Sequence, residues 1–483
     1  MPENDINSPT SQSKAIAWSA VERFSTQGIQ FVVSVIVARL VAPSCYGLVA
    51  MLSIFVAIGQ SLIDSGFSNA LIHKKNCTEK DYSTVFLFNI AASTVLYALF
   101  YFISPYIAEF YEQPDLVMIA RCVTLTFFFN SFSIVQRTKL TKSLDFKKLS
   151  SASIVSVIIS GIVGIVMAFL NYGVWTLVFQ GLVMSLVNTI VLCSISQWKP
   201  TWTFSKESYH ELFSFGSKMM LTGLISTIYM NLYSLVIGKF FSSVQLGYFN
   251  RMQRIATFPS KNLTAIISRA VYPKQCMLQD KERDLVENYS KLFSLSSYII
   301  FPVMMGLSIL AQPLTYCLLG ENWSDAYPYL QILCLVYMFD HLQFFNWQML
   351  AVKGRSDLSL KSEIIKKIVS VVIMVVTIPM GIEAMIWGLL LYAICDLMII
   401  IPFVHYLIPE ITFAKEMRLL YRPFCLSLAM AICMYVSLCI FRNSYVQLFF
   451  SSAIGFIVYY VLSVIVKAQE YYFFRDKIRS FIR

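Results

Sequence analysis

Charged residues are scarce in this chain. Asp, Glu, Lys and Arg make up 13% of its 483 residues, against about 25% in an ordinary soluble domain. So few cannot cover the surface of large soluble domains, and that class is excluded. Histidine is rarer still: His73, His210, His341 and His405 are the four in the chain, and their spacing suggests no metal ligand set. There is no nucleotide-binding loop, which argues against direct use of ATP, and no acidic metal-binding motif. There is also no long polar insertion of the kind a membrane glycosyltransferase, polymerase or ligase needs for a sugar-donor site. From Met1 to about Ser13 the chain is polar and lacks a basic segment leading into a cleavable apolar core, so the first hydrophobic helix is expected to stay in the mature protein. The 11 cysteines lie mostly inside apolar runs and read as small buried hydrophobes without a disulfide framework.

What fills the space is apolar. Hydrophobic residues reach 57%, with 38 Phe, 27 Tyr and 7 Trp, a supply of rings suited to many membrane–water interfaces. A helix crosses the hydrocarbon core in about 20 residues, and about fourteen stretches of that kind occur. They run roughly 17–40, 47–71, 82–104, 116–136, 150–170, 173–196, 210–237, 245–269, 291–319, 327–351, 362–380, 383–407, 419–441 and 446–467. The fold class expected is an all-α integral membrane protein.

Loop charge tests this division, because basic loops are retained in the cytoplasm. Lys and Arg crowd into alternate loops: Lys74, Lys75 and Lys80; Arg137, Lys139, Lys142, Lys147 and Lys148; Lys199 and Lys206; Lys274, Lys281 and Arg283; Lys353, Arg355, Lys361, Lys366 and Lys367; Lys415, Arg418 and Arg422. The intervening turns carry acids, such as Glu109, Glu112 and Asp115, and of the bases only Arg39, Lys239 and Arg442 sit in or beside them. The pattern predicts that both termini are cytoplasmic. It also accounts for the net charge of +11 without a nucleic-acid partner, and suits contact with anionic membrane lipids.

An internal repeat is visible. Val37-Ala-Arg-Leu-Val-Ala-Pro-Ser-Cys-Tyr-Gly47-Leu48 matches Ile237-Gly-Lys-Phe-Phe-Ser-Ser-Val-Gln-Leu-Gly247-Tyr248, with Arg39 on Lys239 and Gly47 on Gly247. Ser143-Leu-Asp145 then pairs with Arg355-Ser-Asp357, and Asn171-Tyr-Gly173 with Pro379-Met-Gly381. Six helices per half is an even number, so the repeats are expected to be parallel, with the substrate path between them. The organisation expected is a cytoplasmic segment (1–14), two six-helix halves (15–200 and 205–408), two additional helices (415–468) and a basic cytoplasmic tail (469–483).

An ionisable side chain at membrane depth marks a cavity or pathway by default. In the eighth span Arg251, Arg254, Lys261 and Arg269 fall within a sector of about 80°, one stripe down one helix. Arginine's planar fork makes paired, charge-assisted bonds to phosphate oxygens, so Arg251, Arg254 and Lys261, with Arg23 of the first span, are the expected diphosphate-binding residues. The competing reading is a helix partly in the interface, its bases reaching headgroups. Asp64 and Asp396 are the acids that could couple transport to an ion, and a buried structural pair is the alternative for each. No cofactor is expected.

Several stretches also resemble a known family. Val37-Ala-Arg-Leu-Val-Ala-Pro-Ser-Cys-Tyr-Gly-Leu resembles the ARLLxPxxFG turn of polysaccharide-export and O-antigen flippases, with Tyr46 in place of the usual Phe. Asp64-Ser-Gly-Phe-Ser-Asn-Ala-Leu-Ile, Leu144-Asp-Phe-Lys-Lys-Leu, Leu246-Gly-Tyr-Phe-Asn-Arg251 and Leu319-Gly-Glu-Asn-Trp323 look like further marks of it. The resemblance is to the Wzx-like polysaccharide transporters, in the superfamily that also holds lipid II flippases and multidrug exporters. It implies a bacterial inner-membrane protein with a cationic lumen that flips an undecaprenyl-diphosphate-linked oligosaccharide, working with a polysaccharide polymerase and a chain-length regulator. A multidrug exporter of the same superfamily is the alternative, though an exporter of organic cations would be expected to line its path with acids and aromatics.

Overall fold

The structure is a computed structural model; it describes the backbone of residues 9–64 and 66–482, and side chains from Ser25 onward apart from residues 65, 270, 477, 478 and 480–483. Regular structure among the described residues is helical throughout. The chain begins with α1 (Pro9–Leu40), α2 (Pro43–Asp64), α3 (Phe67–His73), α4 (Glu79–Tyr111), α5 (Leu116–Val123) and α6 (Thr126–Lys142). It continues through α7 (Phe146–Phe169), α8 (Val174–Ser196), α9 (Lys206–Phe240), α10 (Ser243–Met277), α11 (Glu282–Ile309), α12 (Ala311–Leu319) and α13 (Tyr327–Met338). The last elements are α14 (Asp340–Val352), α15 (Ser356–Thr377), α16 (Ile382–Leu407), α17 (Phe413–Ile440), α18 (Ser444–Ile465) and α19 (Gln469–Ile482).

The expected spans fall on these helices in order, four of them on a helix in two pieces: α2 with α3, α5 with α6, α11 with α12, and α13 with α14. Among the described residues ten helical stretches are long and apolar enough to cross a membrane, so the chain is a multi-pass membrane protein. Four of the expected spans fall outside that ten: α1, α10, the broken α13–α14 pair, and α15. Three of these depart for a visible reason. α10 and α15 carry several charges, and α13 and α14 are individually short.

Packing is inverted relative to a soluble bundle. The buried side of α7 is a row of small residues, among them Ala152, Ser156, Ser160, Gly164 and Ala168, while Ile158, Ile162, Val166 and Phe169 are exposed. Small residues spaced four apart let helix backbones approach closely, which is how membrane helices associate when lipid is as apolar as leucine. α7 packs on α1 and α8. At Gly161 an added methyl would collide with Val33 of α1.

The chain divides into two compact units, residues 1–247 and 248–483. The division falls after α9 because α9 packs on α2, α3 and α4. In the first unit, the basic loops predicted from sequence are tied down by charge. Lys74 pairs with Asp81 at 3.1 Å and Glu211 at 2.8 Å. Lys139 pairs with Glu79 at 3.0 Å, whose other oxygen accepts from Trp198 Nε1 at 2.6 Å. The second unit is built around α11, which packs on α13 and α17. Here Lys366, expected in a loop, is instead a buried residue of α15.

The repeat motifs occupy matched junctions. Gly173 is the residue before α8 and Gly381 the residue before α16, with φ of 56° and 99°. Both need the left-handed region that glycine enters without a Cβ penalty. The Gly47 and Gly247 turns meet each other inside the first unit. A methyl on Gly47 would strike the carbonyl of Ser243, and one on Gly247 would strike the carbonyl of Pro43. Each glycine thus meets the counterpart of the residue that its own counterpart meets, a reciprocity that a local two-fold axis produces.

Candidate functional site

α10 separates its residues by face. A row four apart, Met252, Ala256, Ser260 and Thr264, is buried. Ser260 Oγ donates to the Tyr337 carbonyl at 2.8 Å, Gln253 Nε2 donates to Tyr337 Oη at 2.8 Å, and Ser268 Oγ donates to Gln348 Oε1 at 2.7 Å. These bonds hold α10 to α13 and α14 and fix which side turns outward. Arg254, Phe258, Lys261 and Arg269 are exposed along the length of the helix. Arg251 differs from the rest of the stripe: it is 7% exposed and held by contacts within the fold. Arg23 lies on α1, and its side chain falls outside the described residues.

Two features shape the stripe. Pro259 sits between Arg254 and Lys261; proline lacks the N–H that would bond the carbonyl four residues back, and so weakens the helix where it stands. Lys261 also acts electrostatically on Asp340, at the break between α13 and α14. There the chain turns at Phe339, whose N–H bonds the Val336 carbonyl at 3.3 Å. The exposed face is therefore a row of two arginines and a lysine with one aromatic ring, bordered by one acid. It can bind an anion with several acceptor oxygens, and Phe258 offers an apolar surface beside it.

The acids singled out by sequence have partners. Asp64 Oδ1 accepts from Ser68 Oγ at 2.5 Å and from the Ser68 N–H at 3.4 Å, bridging the step from α2 to α3. Asp396 of α16 lies 3.1 Å from the Lys366 ammonium of α15, and Lys366 also lies 2.5 Å from Glu363. Arg121 stacks over Tyr101 at 3.9 Å and donates to Ser104 Oγ at 3.1 Å. Sequence reasoning missed two participants. Lys366 was hidden by its basic neighbours, and the buried Glu416 by its position between Lys415 and Arg418. The only usable signal was helical spacing, which turns Glu416 toward the same side as Leu420 and Pro423. Among the described residues no group of His, Cys, Asp and Glu could hold a metal ion.

Comparison with known proteins places the chain in a family. Residues 36–328, more than half of the chain, match the family model described as polysaccharide biosynthesis protein. The teichuronic acid biosynthesis protein TuaB of Bacillus subtilis is 26% identical over 302 residues, 62% of each chain, so the match spans less than two thirds of that relative. The lipopolysaccharide biosynthesis protein WzxC of Escherichia coli is 25% identical over 351 residues, 72% of this chain and 71% of its own. Among solved structures, the lipid II flippase MurJ in an inward closed conformation superimposes with a TM-score of 0.77 at 15% identity, covering 96% of this chain and all of the other. An inward-facing MATE multidrug transporter gives 0.59 at 14% identity over 79% of this chain and 95% of the other. At these identities both structures speak to the fold alone.

Proposed function

We propose, from the premise that this chain belongs to the polysaccharide biosynthesis protein family, that it is a flippase for a lipid-linked oligosaccharide. The substrate is an undecaprenyl-diphosphate-linked sugar chain destined for a surface polysaccharide. The observation that carries the reading is the exposed face of α10, where Arg254, Lys261 and Arg269 share one side of a helix in a membrane protein. A diphosphate must cross a medium in which an isolated charge is costly. Guanidinium and ammonium groups offset that cost by charge-assisted hydrogen bonds to its oxygens. Arg254 and Lys261 bind the head group directly, Arg251 fixes the N-terminal end of the stripe from its buried position, and Arg23 adds a cation from α1. Alternating access moves the head group past this face while the polyprenyl tail stays in lipid.

The same reading sets the chain in the bacterial inner membrane with fourteen crossings and both termini in the cytoplasm, an orientation that the alternating basic loops support. A polysaccharide polymerase and a chain-length regulator are its proposed partners. Relatives named for teichuronic acid and lipopolysaccharide biosynthesis support a polysaccharide substrate. Ion coupling through Asp64 or Asp396 would require each to release the partner it holds, Ser68 or Lys366. The exporter alternative is disfavoured by the charge sign on α10, which repels organic cations.

The test is flipping in proteoliposomes loaded with a diphosphate-linked oligosaccharide, wild type against Arg254→Ala/Lys261→Ala. Both residues are exposed, so the double variant should insert and fold normally, and flipping should fall. Unchanged flipping would make the stripe an anchor for headgroups, and a wild type that moves no lipid-linked sugar would return the exporter reading.

A further inference from the structure

The second unit contains a buried carboxyl that transport through α10 does not use. Glu416 sits in the first turn of α17 and is 1% exposed. Its Oε1 lies 2.8 Å from Tyr289 Oη of α11, and its Oε2 lies 3.3 Å from Asn346 Nδ2 of α14. Tyr289 Oη is also 3.2 Å from Asn346 Oδ1, and Asn346 Nδ2 reaches the Leu342 carbonyl at 3.1 Å. Glu416, Tyr289 and Asn346 therefore form a closed ring of side chains, all of them buried.

Counting hydrogens decides the charge of that ring. The Leu342 carbonyl and Glu416 Oε2 are both acceptors, so the atom of Asn346 between them is its NH₂ group, and Asn346 Oδ1 faces Tyr289. If Glu416 is ionised, the single proton of Tyr289 must serve two acceptors, Glu416 Oε1 and Asn346 Oδ1, and one is left without a donor. If Glu416 carries a proton, every group in the ring is paired. Glu416 donates to Tyr289 Oη, Tyr289 donates to Asn346 Oδ1, and Asn346 donates to Glu416 Oε2 and to Leu342. A buried acceptor without a donor is costly and a buried charge without a counter-ion more so.

The surroundings supply no cation to reverse this. α11 presents Tyr289 and α14 presents Asn346, both neutral. On α17 itself Arg418 and Arg422 are exposed, and among the described residues no Lys, Arg or His forms an ion pair with Glu416. Glu470 of α19, the next acid packed near α11, is taken up by Ser294. The N-terminal end of α17 favours an anion in principle, but its capping bond runs from the Lys415 N–H to Thr412 Oγ1 at 3.2 Å, and both Glu416 oxygens are turned to side chains.

We propose that Glu416 is a proton-binding site, loaded at neutral pH and closed by Tyr289 and Asn346, through which the transporter couples its cycle to a proton. The coupling half of this inference rests on the transport reading above; the proton-binding half does not. Any movement of α17 against α11 or α14 opens the ring, exposes the carboxyl to water and releases the proton. Reclosure takes one up again.

Infrared difference spectra of purified protein, wild type against Glu416→Gln at neutral pH, read the first half directly. Glutamine can donate to Tyr289 and accept from Asn346, so this variant keeps the ring and the fold. The wild type should show the C=O stretch of a protonated carboxyl that the variant lacks; its absence, with an ionised carboxylate band instead, overturns the site. Flipping in proteoliposomes with and without an imposed pH gradient reads the second half. Wild-type flux should respond to the gradient severalfold and Glu416→Gln flux should not. An equal response in both proteins overturns coupling through Glu416 while leaving the flippase standing, and a wild type without any flux overturns the flippase reading, with the infrared result still deciding the proton site.

Discussion

α2 and α10 leave matched turns, Pro43–Gly47 and Ser243–Gly247, and then differ in almost everything that touches charge. In its 22 residues α2 carries one charged side chain, Asp64, and buries an apolar row that includes Met51, Leu52, Ile54 and Ile63. α10 carries Arg251, Arg254, Lys261, Arg269 and Lys274. The turn is held by backbone contact, which admits glycine alone at 47 and 247. Beyond it each helix is free to specialise, and α10 has turned its free face into a cationic surface. A second contrast runs within the later half of the chain: α10 directs charge outward, while α15 and α16 neutralise Lys366 and Asp396 against each other.

The shared turn is the most sensitive point of the first comparison. Gly47→Val and Gly247→Val each drive a branched side chain into a backbone carbonyl, at an expected cost above about 4 kcal/mol, comparable with the whole stability of many proteins. Both should fail to yield monodisperse protein in detergent. Gly181→Ala, where a methyl meets nothing within 4 Å, should behave as wild type.

The inward-facing pair comes next. Lys366→Met strands Asp396, and breaking a buried pair in this way costs about 3–5 kcal/mol. Its thermal midpoint should drop sharply and recover when Asp396→Leu is added. If the double variant is no better than the single one, Lys366 and Asp396 are not each other's main partners.

The outward face should respond in function and not in stability. Each charge-assisted bond lost to a diphosphate is worth about 1.5–3 kcal/mol, so Arg254→Ala/Lys261→Ala, which removes two, should slow flipping by about two to four orders of magnitude with an unchanged melting point. Ser61→Ala, at the position of α2 matched to Lys261, should flip at close to the wild-type rate. Equal losses from both helices would erase the functional difference between them.

The smallest effect belongs to Asp64→Ala. It removes an acceptor that serves the start of α3, a loss of about 1 kcal/mol on the scale of helix caps, and should leave the ion dependence of transport as it was. A change in that dependence would restore Asp64 as a coupling residue.

How far these features could be read beforehand follows from the range of the interactions involved. Apolar length and alternating loop charge are local properties, so the order of the helices was legible, including those in two pieces. The breaks at Thr124–Leu125 and Phe339 were not, because hydropathy runs through them uninterrupted. The cationic stripe was legible from helical spacing, but not the burial of Arg251, which depends on its neighbours in space. Glu416, Tyr289 and Asn346 are far apart in the chain and belong to three helices. Lys366 looked like one more cytoplasmic base because its partner lies a helix away.

The reciprocity of the Gly47 and Gly247 turns has an evolutionary consequence. Where two copies of a repeat touch through equivalent atoms, a substitution in one alters the environment of the other, so neither copy can drift alone. Natural variation at the two turns should therefore be correlated and sparse.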